Sequence, residues 1–249
     1  MHNKGWEAES DRREVERRQG TWGTAGLRLV MLLAVSFAAG NGWAQGQLTG
    51  EASATADLTV LVYIYAPVPK HDLAIAERTA SDIFQNVGVK LSWVDCAMTR
   101  RRAELNPACT IPHTPIDIRL NVVPDIAEGP WVERFAMGMA VPIPPPRHGQ
   151  FAYISYARAK TVLHEVPQFS LGQLLGHGIA HEIGHLLLGT NSHSPSGLMS
   201  ARWNTRELKL AARGQLTFSI DQAATIRADV RARRAQQETA AAERVASQK

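Results

Sequence analysis

The sequence predicts an α+β fold: a twisted mixed sheet packed on one long buried helix, with a small, mostly helical C-terminal part. Three observations carry this. Strand-like runs recur between residues 58 and 156 with a single helical pattern among them. An apolar segment over 171–188 has a start signal and a stop signal at its ends. The stretch beyond residue 200 lacks strand runs and has the composition of helix. Of the 249 residues, 45% are apolar and 20% charged, so the chain is neither disordered nor collagen-like and can bury a sizeable core. No uninterrupted apolar run reaches the roughly 20 residues of a membrane span. The net charge is +4, but the basic residues are scattered, with clusters at Arg100–Arg102 and Arg227–Arg234. No aromatics interleave with them, so nucleic acid is not an expected partner.

At the N-terminus, a polar stretch rich in Arg and Glu precedes Leu27–Ala39, and small residues follow at Gly42 and Ala44. This is the pattern of a signal peptide with a long n-region, residues 1–44. It predicts a secreted or periplasmic protein with no stable membrane insertion after cleavage. Residues 45–57 read as a flexible lead-in and 58–230 as one domain. Leu58–Tyr65 is β-branched and aromatic and reads as a buried strand, ended by Pro67 and Pro69. From Asp72 to Val87 the apolar residues Leu73, Ala76, Ala80, Ile83, Phe84 and Val87 form a helical face, and Gly88 stops it.

Val89–Val94 reads as a second strand. Cys96 and Cys109 are an even pair, which in an exported chain predicts a disulfide. Ile116–Val122 alternates cleanly as a third strand. Met137–Val141 reads as a short strand, ended by Pro142, Pro144, Pro145 and Pro146. Phe151–Tyr156 reads as the last strand. Residues 231–249, mostly Ala, Arg, Gln and Glu, read as a polar tail, frayed helix or disordered.

Ser170 and Gln173 form a capping box, Phe169 and Leu174 are spaced for a hydrophobic staple, and Gly189 stands at the C-terminal stop, so a helix spans Leu171–Leu188. Leu175, Ile179, Ile183, Leu186 and Leu187 cover most of its circumference, so it is buried nearly all round. Its glycines, 172, 176, 178 and 184, let neighbours approach closely. A buried helix does not hold Glu182, His177, His181 and His185 without partners. His181-Glu182-Ile183-Gly184-His185 places two imidazoles one turn apart on one face, with Glu182 just beside them. That is H-E-x-x-H geometry, a two-histidine zinc site with a carboxylate near the ion. His193, just past Gly189, is the preferred third ligand, and Glu207 is the rival. Asp221 is better explained as a helix-start residue. His177 is a further turn away and reads as a cleft-lining or supporting residue. His71, His113, His148 and His164 show no ligand spacing and read as surface or loop residues.

With those residues in place, HEIGHLLLGTNSHSPSGLM, His181–Met199, resembles the active site of metzincins, the matrixin-like branch most of all. The family pattern is H-E-x-x-H-x-x-G-x-x-H followed by a Met-turn. Here Gly189 comes one residue later and the gap to His193 is one longer, so the loop carrying His193 departs from the family. The resemblance implies a zincin-like fold and one catalytic zinc ion on His181, His185 and His193. It implies a zinc metalloendopeptidase that hydrolyses peptide bonds through a zinc-bound water activated by Glu182 as general base. Met199 becomes the Met-turn residue, an apolar floor beneath the histidines. The partner is a peptide or protein substrate, paired with Met137–Val141 or Phe151–Tyr156, and the chain is expected to be a monomer. No Tyr follows Tyr156, so a late tyrosine ligand is absent. The competing reading is a zincin-fold protein acting as an amidase on a small substrate, or as a non-proteolytic binding module. Zinc binding alone does not require Glu182.

Overall fold

A computed structural model of the chain describes residues 56–96, 106, 109–110, 114–127, 136–144, 148–166 and 168–247. The expected signal segment, the Arg100–Arg102 cluster and His113 lie outside the described residues. Five strands, β1 (Ala56–Ile64), β2 (Val89–Cys96), β3 (Asp117–Val123), β4 (Gly138–Val141) and β5 (Phe151–Ser155), form one sheet in the order β2-β1-β3-β5-β4. β1 runs parallel to β2 and β3, β3 runs parallel to β5, and β4 is antiparallel to β5 at the end of the sheet. The sheet is therefore mixed, as the sequence predicts.

Side-chain alternation sets the register. Val62, Leu120 and Ala152 stand opposite one another, and all three are fully buried. A one-residue slip would turn that row out of the core.

Among the described residues five helices complete the fold: α1 (Lys70–Gln85), α2 (Tyr156–Glu165), α3 (Leu171–Leu188), α4 (Thr205–Ala212) and α5 (Ile220–Ser247). α1 ends before Gly88, whose φ of +77° suits glycine. α3 is the central element, with thirteen of its eighteen residues buried. Its glycines are where other elements touch it. A Cβ at Gly172 would lie 2.6 Å from the Asp72 carbonyl oxygen, and one at Gly176 would lie 2.5 Å from Thr79 Cβ, both on α1. Two backbones therefore meet there, and the roughly 1 kcal/mol that each helical glycine costs is set against close packing.

Three features differ from the sequence-based expectation. The last strand stops at Ser155, and the next residue opens α2, which periodicity does not reveal because only Ala159 of that helix is buried. Ser155 caps it, its Oγ accepting from Arg158 N at 3.2 Å. The second difference is at the C-terminus, where the stretch read as a polar tail is helical through Ser247. Its Arg233 is fully buried. The guanidinium donates to Asp229 at 2.5 Å and, at 3.1 Å each, to the carbonyls of Pro115, Gly149 and Leu186. Leu186 O is one of the last carbonyls of α3, which have no partner within their own helix. α5 thus closes the end of α3 from outside. His148, expected on the surface, is only 12% exposed in its side chain and sits 3.1 Å from Asp229. Among the described residues no helix is long and apolar enough to cross a membrane.

Candidate metal centre

α3 begins at the predicted capping box, with Ser170 Oγ accepting from Gln173 N and Gln173 Oε1 accepting from Ser170 N. It ends where Gly189 takes a φ of +82°, and Asn191 follows at +58°. Asparagine is among the few other residues that visit this left-handed region readily. No atom crowds Gly189, so backbone conformation alone calls for glycine there. These two residues reverse the chain and carry His193 back under α3. Met199 O accepts from Ser194 N at 2.8 Å and closes the loop.

Three imidazoles then converge. The Nε2 atom of His185 lies 3.0 Å from that of His181 and 3.1 Å from that of His193. His181 Nδ1 is 2.7 Å from the carbonyl oxygen of Leu198. A carbonyl only accepts, so Nδ1 carries the proton and Nε2 is left as a bare lone pair. His185 Nδ1 lies 2.7 Å from Ser192 Oγ, which holds the second ring in orientation; a hydroxyl both donates and accepts, so this contact does not select the tautomer. A metal ion among the three rings takes one Nε2 lone pair from each. Three nitrogens bound to one zinc at about 2.0–2.1 Å and tetrahedral angles stand about 3.3 Å apart. The observed spacing fits such an ion, and the donor set of three neutral imidazoles suits zinc. Among the described residues, His181, His185 and His193 form the group able to hold a metal.

The other candidates lie outside that group. Glu207 is buried on α4 with Oε2 unpartnered. Asp221 lies in the first turn of α5, which Ser219 and Gln222 cap reciprocally. His177 is buried, its Nδ1 is 2.8 Å from Gln173 O, and its Nε2 has no hydrogen-bond partner. His71 and His164 are exposed. Met199 is fully buried, and a Cβ at Gly184 would lie 2.6 Å from its Sδ. The methionine therefore presses on α3 in the turn between His181 and His185.

Glu182 is buried, and loss of solvation pushes its carboxyl up to about 8. Gly138 of β4 lies directly against it: a Cβ there would be 2.5 Å from Glu182 Cγ and Oε1. Burial also lowers His181 to about 4 and His185 to about 3, with the neighbouring imidazoles adding to the effect. His181 and His185 are thus held neutral, the form that binds metal.

Sequence reasoning missed two supporting residues. Ser192 orients His185. Trp203 donates from Nε1 to Leu198 O at 3.0 Å, the same oxygen that His181 uses, and its ring lies edge-on at 6.1 Å from both His177 and His181. Neither has a spacing signature, because each reaches the site through a loop. The serine inside Asn191-Ser192-His193 is the only hint.

No family model matches the chain, and no curated protein matches it. Among solved structures it is similar to the crystal structure of archaemetzincin from Methanopyrus kandleri, with 18% identity and a TM-score of 0.46, over 74% of this chain and 99% of that one.

Proposed function

We propose that this chain is an exported zinc-dependent endopeptidase, with His181, His185 and His193 as metal ligands and Glu182 as general base. The observation that carries the reading is the convergence of three Nε2 atoms at 3.0 and 3.1 Å, two of the rings being oriented through Nδ1. A zinc ion held there supplies Lewis-acid chemistry, polarising a carbonyl oxygen and bringing the pKa of water toward about 7.

The remaining steps belong to the chain's own residues. Glu182 starts one position round the helix from His181 and is not among the side chains that converge, which suits a base beside the ion rather than a ligand. Desolvation alone would keep it protonated at neutral pH, and a cation at the histidine group pulls it back toward ionisation. The two effects poise it to take the proton of an attacking water and return it to the leaving amine.

β4 is the terminal strand of the sheet, which favours it over the interior β5 as the edge on which an extended peptide pairs. Its Gly138 touches Glu182, so a peptide laid along β4 passes within reach of the base. Export is supported by the apolar run before Ala44 and by the Cys96–Cys109 disulfide.

Zinc stoichiometry of wild type and His193→Ala, followed by digestion of an unbiased peptide library with wild type and Glu182→Gln, tests the reading. One zinc per chain, loosened in His193→Ala, and cleavage lost in Glu182→Gln with zinc kept, are expected. A protein that takes up no zinc, or a Glu182→Gln variant that still cleaves, overturns it. Sequencing the N-terminus of the exported protein is expected to start at Gln45.

A further inference from the structure

The face of the sheet turned away from the helical core carries an open groove of about 480 Å³. Ile118, Leu120 and Val122 of β3 face the helical core, so Arg119 and Asn121 project from the other side. Phe151 and Tyr153 of β5 stand beside them in register. Tyr65, 48% exposed, and Asp125 complete the wall. The size is that of a pocket for a small organic molecule.

Its charge is unbalanced. Arg119 has no carboxylate at ion-pair distance among the described residues; its Nη2 bonds Tyr63 Oη at 2.9 Å, and its Nε is buried without a partner. The guanidinium lies 4.4 Å from the Tyr63 ring centroid and 5.9 Å from that of Phe151, which holds its plane in place. Asp125 does not neutralise it. That carboxylate accepts from Ser155 Oγ at 2.7 Å and from Ile126 N at 2.8 Å, and it lies 3.4 Å from Arg158. A held cation with no counter-ion among the described residues, walled by three aromatic rings, matches a ligand with an anionic head and an apolar body. A guanidinium fork suits a carboxylate.

We propose that this groove binds a small organic carboxylate carrying an aromatic or apolar group, its carboxylate on Arg119 and its body against Phe151, Tyr153 and Tyr65. The site is independent of the metal centre. The probe is 3-phenylpropionate, titrated calorimetrically into the full chain with acetohydroxamate present to occupy any metal at the histidines. Saturable binding is expected, weakened about tenfold or more for the neutral 3-phenylpropionamide and for Arg119→Gln, as loss of a charge-assisted hydrogen bond requires. The acid–amide comparison uses the wild-type protein and does not depend on the variant folding.

N-acetyl-Ala-Ala-Phe with a free carboxylate distinguishes the source. Tighter binding than the small acid assigns a peptide C-terminus, and weaker binding assigns a free acid. Equal binding of acid and amide, an unaffected Arg119→Gln, or no saturable binding overturns the proposal. A zinc-free protein that still binds the acid leaves this site standing and removes the peptidase reading.

Discussion

Replacing Gly138 by Ala probes Glu182 from the opposite wall of the site. Gly138 sits in β4, outside the left-handed region, so its backbone conformation would accept any residue. On backbone grounds alone the change would stabilise the protein by about 0.4–1 kcal/mol, through a less mobile unfolded chain. The added methyl, however, would lie 2.5 Å from Glu182 Cγ and Oε1 and 2.7 Å from Cδ. Non-bonded carbons rest at about 3.5–4.0 Å, so the contact is short by about 1 Å. β4 cannot easily retreat, because Gly138 is paired with Ile154 of β5.

Two outcomes are then open to the molecule. If Glu182 holds its place, overpacking costs about 1–3 kcal/mol and the net sign is destabilising. If the carboxylate swings aside, the proposed general base is displaced by about 1 Å, and turnover is expected to fall about 10²-fold while stability changes little. Urea unfolding and peptide-library turnover, measured on the same preparation with zinc content as a control, separate the two. A variant more stable than wild type, with turnover and zinc unchanged, would refute the placement of Glu182 beneath β4.

Ser192→Ala removes the hydroxyl that orients His185, and zinc affinity is expected to drop by about 10–100-fold; competition against a chromophoric chelator reads this, and an unchanged affinity would show that the serine plays no part. In the metal-free protein the raised pKa of Glu182 makes the native state hold a proton that the unfolded chain releases, so this group's contribution to stability declines as pH rises from about 4.5 to about 8. Metal-free Glu182→Gln is therefore expected to match wild type near pH 4.5 and to exceed it by a growing margin toward pH 8, and parallel pH profiles from urea melts would contradict the desolvation argument. Arg233→Met deprives two buried carbonyls, the part-buried Pro115 carbonyl and Asp229 of their donor and is expected to destabilise by about 3–5 kcal/mol. An unfolding midpoint within error of wild type would mean that α5 does not anchor α3.

Much of the fold is legible in the sequence because its signals are short-range. The row of buried residues on β1, β3 and β5 follows from two-residue alternation. The ends of α3 follow from Ser170, Gln173 and Gly189, each acting on backbone groups within a few positions. α2 is not legible, since a helix burying little beyond Ala159 leaves a weak pattern. Arg233 is hidden because a buried arginine looks the same in a polar run as an exposed one; only the carbonyls gathered around it distinguish the two.

The same boundary runs through the metal centre. Residue order alone dictates that His181 and His185 share a face with Glu182 beside them, because the helical repeat imposes it within a single turn. It also dictates that this helix is buried, and hence that its histidines need partners. That His193, and not Glu207, converges with the two helical histidines is fixed by the folded chain, because it depends on how the left-handed turn at Gly189 and Asn191 redirects the backbone. Folding likewise places Gly138 over Glu182, Trp203 and Ser192 behind the ligands, and Arg119 in an aromatic groove on the far side of the sheet. Those contacts join segments that lie in different elements and loops, and they are fixed by packing between elements rather than by any repeat within one.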